Sequence, residues 1–230
     1  MNVIVTGASR GIGYALSKEY ASRGGQVFAV ARSENRLEEL RKECMDLKGE
    51  LHAVPIDLMA GSGRRELAGR IEKAGGLDIL VNNAGLLVNK KIGDFGEDDF
   101  DRIFSVNVKS VFFLISELLP HFRKNAHIVN ISSMGGFQGS AKFPGLSLYS
   151  SSKGALAILT ECLAEELKER SISVNCLALG AVQTEMLEEA FPGYEAPLNA
   201  LEMAGFIADF SLKSAKYLNG KIIPVSISTP

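Results

Sequence analysis

The sequence carries no long run of like charge: 25 Lys and Arg stand against 27 Asp and Glu, a formal net charge of −2 over 230 residues. That balance excludes a nucleic-acid footprint and a polybasic membrane patch, and it names no macromolecular partner. Cysteine is scarce. Cys44, Cys162 and Cys176 are odd in number, far apart and unaccompanied by histidine clusters, so they read as reduced packing residues rather than a disulfide frame or a metal site. The opening MNVIVTG enters an apolar strand directly, with no basic leader and no small-residue cleavage site, which sets the expectation of a cytoplasmic chain. The most apolar helical stretch, Val111 to Leu119, is interrupted by Ser116 and Glu117, and at that length no membrane span is expected. No internal repeat, low-complexity tract or Pro/Ser-rich linker divides the chain, and its length suits one α/β domain over residues 1–230.

What the sequence does have is an alternation. Short apolar, β-branched runs near 2–6, 26–31, 51–55, 77–82, 126–132, 171–177 and 221–225 alternate with segments of helical period near 11–24, 34–47, 63–74, 97–123 (broken), 148–169 and 199–213. This pattern predicts repeated βαβ units: an α/β, Rossmann-type doubly wound parallel sheet with helices on both faces. Segment 183–198 resists assignment, because Phe191-Pro192-Gly193 and Pro197 break any strand and permit only a short helix. It follows the sixth strand, beside the carboxyl edge where ligands bind in open α/β sheets, and is expected to be a short substrate lid.

The first strand runs into Gly7-Ala8-Ser9-Arg10-Gly11-Ile12-Gly13, which opens the first helix. Glycines there permit a tight turn, bring backbone N–H groups close to a pyrophosphate and let helix and strand pack closely. The spacing is G-x-x-x-G-x-G, and a ligand-free turn or the related turn of a methyltransferase would read similarly. The second strand ends Val30-Ala31-Arg32-Ser33, with no acid to accept a hydrogen bond from an adenosine 2′-hydroxyl. Arg32 stands where a 2′-phosphate would lie and Arg10 sits in the glycine turn, which favours NADP(H) over NAD(H); a solvated arginine ahead of a helix is the plainer alternative for Arg32.

Tyr149 and Lys153 are four residues apart at the start of a helix, so they share a face and the ammonium can sit near the phenol. A positive charge there is expected to lower the tyrosine pKa towards a useful acid/base range. Asn82-Asn83-Ala84-Gly85 follows the fourth strand, Asn107 lies in the next helical region, and Ser132-Ser133 closes the fifth strand. Singly, each could cap or satisfy a loop. Jointly, they point to the edge of the sheet where the glycine turn lies. Ser133 is preferred to Ser132, since successive strand residues face opposite ways.

In this order, Thr6-Gly7, Gly11, Gly13, Asn82 to Gly85, Asn107, Ser133, Tyr149-x-x-x-Lys153 and Asn175 resemble the short-chain dehydrogenase/reductase family over most of the chain. The resemblance implies a seven-stranded parallel sheet, a nicotinamide cofactor across its switch point, and a tetrad of Asn107, Ser133, Tyr149 and Lys153. It further implies that Asp57, with Leu58 beside it, meets the adenine. Asn83, Ala84 and Gly85 would meet the adenosine side, and Val182 and Thr184 the nicotinamide carboxamide and phosphate region. On this likeness Tyr149 is the general acid/base of hydride transfer between the nicotinamide and a carbonyl or alcohol. Ser133 fixes the reacting oxygen, Lys153 holds the ribose, and Asn107 supports a water leading protons to the lysine. The expected partners are a small carbonyl or alcohol substrate and further copies of the chain, as a homodimer or homotetramer.

Some features depart from the family pattern. Leu179-Gly180 replaces the usual Pro-Gly, Gln138 to Gly145 enlarges the loop between Ser133 and Tyr149, and the stretch Gly220 to Pro230 lacks the usual Asp-Gly-Gly. A non-catalytic nucleotide sensor need not keep the four residues together, and a sugar-nucleotide epimerase needs a larger C-terminal substrate region. An acyl-carrier-bound substrate is a further possibility, with Arg123, Lys124 and Arg170 expected near the ends of neighbouring helices; cations favour helix C-termini in any case.

Overall fold

The computed structural model describes residues 1–227 of the chain. The strands are β1 (Asn2–Thr6), β2 (Gln26–Ala31), β3 (Glu50–Pro55), β4 (Leu77–Asn82), β5 (Phe122–Ser133), β6 (Ser173–Leu179), β7 (Val182–Gln183), β8 (Leu198–Asn199) and β9 (Ile222–Val225). The helices are α1 (Gly11–Ser22), α2 (Glu34–Glu43), α3 (Gly61–Lys73), α4 (Glu97–Phe104), α5 (Ser110–Leu118), α6 (Ser147–Glu166), α7 (Glu185–Ala190) and α8 (Ala200–Lys213). Seven strands form one parallel sheet in the order β3-β2-β1-β4-β5-β6-β9. The order reverses between β1 and β4, which opens the crevice at their carboxyl ends.

The central strands are mostly apolar because both faces are covered, and the polar residues buried in them, such as Asn82, Asn130 and Asn175, are hydrogen-bonded. Alternation along β1 sends Val3 and Val5 into one half of the core, with Leu16, Tyr20, Leu37, Leu40, Met203 and Ile207 of α1, α2 and α8. Ile4 enters the other half, with Leu67, Ile71, Val111, Leu114, Leu156 and Leu163 of α3, α5 and α6.

Several boundaries differ from the sequence reading. The helical segment expected over 97–123 is interrupted by a π turn at Ser105–Lys109 and ends in a 3-10 turn at Leu119–His121, after which β5 begins at Phe122. Strand β6 starts at Ser173, because Ser171 is left-handed at φ 55° and closes the turn after α6. Segment 183–198 holds the short helix α7 between β7 and β8. The helical run Glu97–His121, 25 residues with a window of mean hydropathy 1.5, is long and apolar enough by length and composition to cross a membrane. This run is longer than the stretch Val111 to Leu119 read from the sequence, and the core helix of a soluble protein passes the same test of length and composition. The inner face of α5 (Val111, Leu114, Ile115, Leu118) lies in the core, as in a packed core helix, while Phe112 and Phe113 lie on its exposed side. Residues 228–230, the end of the departure noted at the C-terminus, lie outside the described residues.

Candidate active site

The carboxyl ends of β1 and β4 are stitched together. Thr6 Oγ1 accepts hydrogen bonds from the backbone N–H groups of Asn83 and Ala84, each at 3.0 Å, and Asn83 Nδ2 donates to Thr6 O at 3.0 Å. Gly7 is left-handed at φ 69°, and a Cβ there would lie 2.8 Å from Ala84 Cα; one on Gly13 would lie 2.3 Å from Gly7 O. Only glycine allows this approach. Gly11, also left-handed at φ 56°, faces Thr184, so the turn borders segment 183–198. Ala8 N donates to Val30 O at 3.1 Å, laying the turn over the end of β2, where Ala31 and exposed Arg32 follow. Asp57, at the end of β3, is exposed and caps its own turn by accepting from Met59 N at 2.9 Å; Leu58 beside it is half-buried and its carbonyl accepts from Arg64 at 2.6 Å. Ser9 and Ile12 are half-buried within the turn.

The expected tetrad converges. Asn107 is fully buried in the π turn, a local widening that often marks a functional site. Its Oδ1 accepts from Leu86 N at 2.7 Å, and its Nδ2 donates to Leu86 O at 3.0 Å and to Ser152 Oγ at 2.9 Å. The amide is therefore spent on protein partners and anchors the loop after β4. Gly85 lies against Lys153 Nζ and Asn107 Oδ1, at 3.3 and 3.5 Å from where its Cβ would stand. Lys153 is buried, donates to Ile131 O at 2.8 Å, and has its Nζ 5.8 Å from the centre of the Tyr149 ring. Ser132 is turned away, donating to Lys153 O at 2.8 Å, whereas Ser133 reaches the Tyr149 phenol.

The electrostatics differ from the expectation for Tyr149. Burial pushes the phenol up to about 12, opposed by the Ser133 hydrogen bond, so the net direction is upward rather than downward. Lys153 is itself pushed down to about 8 by burial, with nearby Cys176 acting in the opposite sense. What opposes the rise in Tyr149 is the Ser133 hydrogen bond, not the ammonium that the spacing put forward.

Arg10 is also placed differently from the expectation. Its guanidinium pairs end-on with Glu189 of α7, Nη1 to Oε1 and Nη2 to Oε2, rather than standing free beside Arg32. Arg32 has no hydrogen bond or ion pair among the described residues. Val182 is buried and Thr184 caps α7, accepting from Leu187 N at 3.3 Å. Leu179 is buried at the end of β6, and Gly180 N bonds Val225 O at 2.8 Å, so hydrogen bonding to β9 holds the strand end that proline would otherwise stiffen. The basic trio does lie near helix ends, as expected: Arg123 and Lys124 just past the 3-10 turn Leu119–His121 that follows α5, and Arg170 at the end of the 3-10 turn Lys168–Arg170 that follows α6. Arg123 and Lys124 lie at the start of β5 and Arg170 just before β6, at the amino edge of the sheet and opposite Tyr149. Arg123 is engaged by Asp78 and by the carbonyl of Gly75.

Sequence reasoning did not single out Ser152 or Glu189, and it named Thr6 only as the first residue of the turn motif, without its bonding role. Ser152, in the Ser-Ser-Ser run between Tyr149 and Lys153, links Asn107 to Tyr149 O, and Thr6 immediately precedes the first turn glycine, so both had a positional signal. Glu189 had none.

The family model described as short chain dehydrogenase matches residues 1–195. The 3-oxoacyl-[acyl-carrier-protein] reductase FabG of Thermotoga maritima is 33% identical over 189 residues, covering 81% of this chain and 76% of its own. The NADPH-dependent pterin aldehyde reductase of Arabidopsis thaliana is 36% identical over 203 residues, covering 85% and 82%. Among solved structures, a short chain dehydrogenase from Burkholderia cenocepacia in complex with NADP superposes with a TM-score of 0.88 at 29% identity, over 97% of this chain and 95% of that one. On the extent of the family match and the shared fold, the chain belongs to the short-chain dehydrogenase family of oxidoreductases.

Proposed function

We propose that the chain is an NADP(H)-dependent reductase or dehydrogenase of small carbonyl or alcohol substrates, with Tyr149 as its general acid/base. The observation that carries this reading is the meeting of Ser133, Tyr149 and Lys153 at the carboxyl edge, beside a glycine turn at the switch point. The crowding at Gly7 and Gly13 fits a dinucleotide, because side chains there would fill the cradle against which a pyrophosphate packs. Gly7, Ser9, Gly11, Ile12 and Gly13 would hold the pyrophosphate side, Asp57, Leu58 and Asn83 to Gly85 the adenosine, Arg32 the 2′-phosphate, and Val182 and Thr184 the nicotinamide side. When bound, the nicotinamide supplies or accepts the hydride.

The chain's own groups handle the proton. A tyrosine pushed upward stays protonated at neutral pH and can give its proton to a carbonyl oxygen, so reduction is the direction this environment favours. Ser133, within reach of the same phenol, donates to that oxygen and fixes its position. Lys153 binds the cofactor ribose while its other contacts hold it beneath the tyrosine. Asn107 fixes the loop carrying Gly85 and Leu86, positioning the wall next to Lys153. Segment 183–198 serves as the lid over the substrate. The substrates that these relatives are named for, an acyl-carrier-bound 3-oxoacyl group and a pterin aldehyde, share only the carbonyl. Carrier-bound substrates therefore stay within the proposal.

An NADPH-oxidation screen across ketones, aldehydes and β-keto thioesters tests the reading. Turnover in wild type and its loss in Tyr149→Phe are expected; turnover that survives the substitution would assign the proton to another group.

A further inference from the structure

We infer that Glu189 is a specificity-determining residue for the cofactor: its carboxylate competes with the 2′-phosphate for the Arg10 guanidinium and so sets how strongly NADPH is preferred to NADH. The inference rests on the NADP(H) reading of the site. Arg10 leads into α1 with an extended backbone, so its side chain leaves the glycine turn where the nucleotide is to lie. There it meets the acidic helix α7. Glu189 takes its terminal nitrogens in a two-pronged pair, and Glu185, one turn earlier on the same helix, places Oε2 3.5 Å from where a Cβ on Gly11 would stand. Both carboxylates raise the Arg10 pKa further, the Glu189 hydrogen bond most, and Glu189 is held below its ordinary range by Arg10.

The pair is exchangeable. Arg10 and Glu189 side chains are 45% and 63% exposed, and ion pairs open to water are weak. A 2′-phosphate brings close to two negative charges and three acceptor oxygens, which makes it the stronger partner for a guanidinium. If Arg10 moves to the phosphate, the Glu189 contact is lost; if Arg10 stays, the phosphate approaches a carboxylate. Either cost falls only on the 2′-phosphorylated cofactor, since NADH presents a hydroxyl there. Arg32, with no partner to give up among the described residues, makes the uncontested contact.

The test is equilibrium titration of the full chain with 2′,5′-ADP, 5′-AMP, NADPH and NADH, for wild type, Glu189→Gln, Arg10→Gln and the double variant. Glu189→Gln is expected to lower Kd for 2′,5′-ADP and NADPH by about three- to tenfold and to leave 5′-AMP and NADH within about twofold, as befits an exposed ion pair. In the Arg10→Gln background the same substitution should change nothing. Equal shifts for both cofactors, weaker binding of NADPH, or a gain that persists without Arg10 would each overturn the inference. A wild type that binds 2′,5′-ADP no better than 5′-AMP would sink the NADP preference by itself. The role of Glu189 would then stand if Glu189→Gln created the preference and fall if it did not.

Discussion

On the floor of the site Asn107, Ser132, Ser152 and Lys153 are buried, and their polar groups are spent on backbone and on one another. Around the rim the arrangement is reversed. Arg10, Glu188, Glu189, Asn89 and Lys142 are tied by exposed contacts: Arg10 to Glu189, Asn89 Nδ2 to Ala190 O at 3.1 Å, Glu188 Oε1 to Gly193 N at 3.1 Å, and Lys142 to Phe137 O at 2.7 Å. Buried polar groups have no water to fall back on, so breaking one is costly, whereas rim contacts exchange with solvent. The floor is therefore expected to govern rate and stability, and the rim to govern selectivity and KM.

The strongest way to break that division is Tyr149→Phe. Loss of the proton donor is expected to lower kcat by about 10²–10⁴ while the Kd of NADPH stays within about twofold. The pH profile sharpens it. With the phenol pushed up to about 12, the acid form persists through neutral pH, so reduction should be flat there. Alcohol oxidation needs the phenolate, and should rise about tenfold per pH unit while pH stays below that value. Lys153, pushed down to about 8, loses its charge on the alkaline side, so cofactor binding should weaken above that pH. An oxidation rate independent of pH would show that the ionisation of Tyr149 does not limit the step.

Asn107→Ala should follow in size. It leaves both backbone groups of Leu86 and the hydroxyl of Ser152 without their amide partner, at a cost of about 2–3 kcal/mol. For a chain of this length that is a fall in Tm of about 5–10 °C. Thermal unfolding with Tm unchanged would show that water replaces the amide, placing Asn107 with the rim.

The division also explains what could be read ahead of the structure. Strands β1, β2 and β4 fall on the apolar runs that mark them, because a strand buried on both faces is mostly apolar along its length. The meeting of Asn107, Ser133, Tyr149 and Lys153 was legible because each stands at a strand end or on a helix whose position the alternating pattern already fixes. The π turn was not legible, since nothing in Ser105 to Lys109 differs from an ordinary helix in composition or period. The pairing of Arg10 with Glu189 joins residues 179 apart and depends on how α7 is laid down between two short strands. The upward shift of Tyr149 depends on burial, which residue spacing does not report.

Cofactor preference is next. Arg32 is expected to give NADPH at least about a tenfold advantage over NADH in kcat/KM, ~1.4 kcal/mol, a modest demand on one guanidinium–phosphate contact. Replacing Ala31 with Asp and Arg32 with Ile should reverse the order, through repulsion as much as lost attraction. Steady-state kinetics with both cofactors decides it, and a wild type that prefers NADH would show that Arg32 serves only as a solvated charge.

The smallest effect is expected from Gly145→Ala, which acts on the rim alone. Gly145 has φ 87°, and a Cβ there would fall 2.0 Å from Asn89 Oδ1. The substitution carries about 1 kcal/mol of backbone strain and must displace Asn89. Asn89 holds the last residue of α7 through Ala190 O, and Gly145 O accepts from Lys90 N at 3.1 Å, so one methyl group loosens three segments that meet at this corner. None of them carries Ser133, Tyr149 or Lys153. KM for the carbonyl substrate should therefore rise a few fold while kcat and the Kd of NADPH stay near wild type, the opposite split from Tyr149→Phe. A fall in kcat with KM unchanged would mean that the enlarged loop helps to aim the reacting groups, and the boundary between floor and rim would have to be redrawn through residues 138–145.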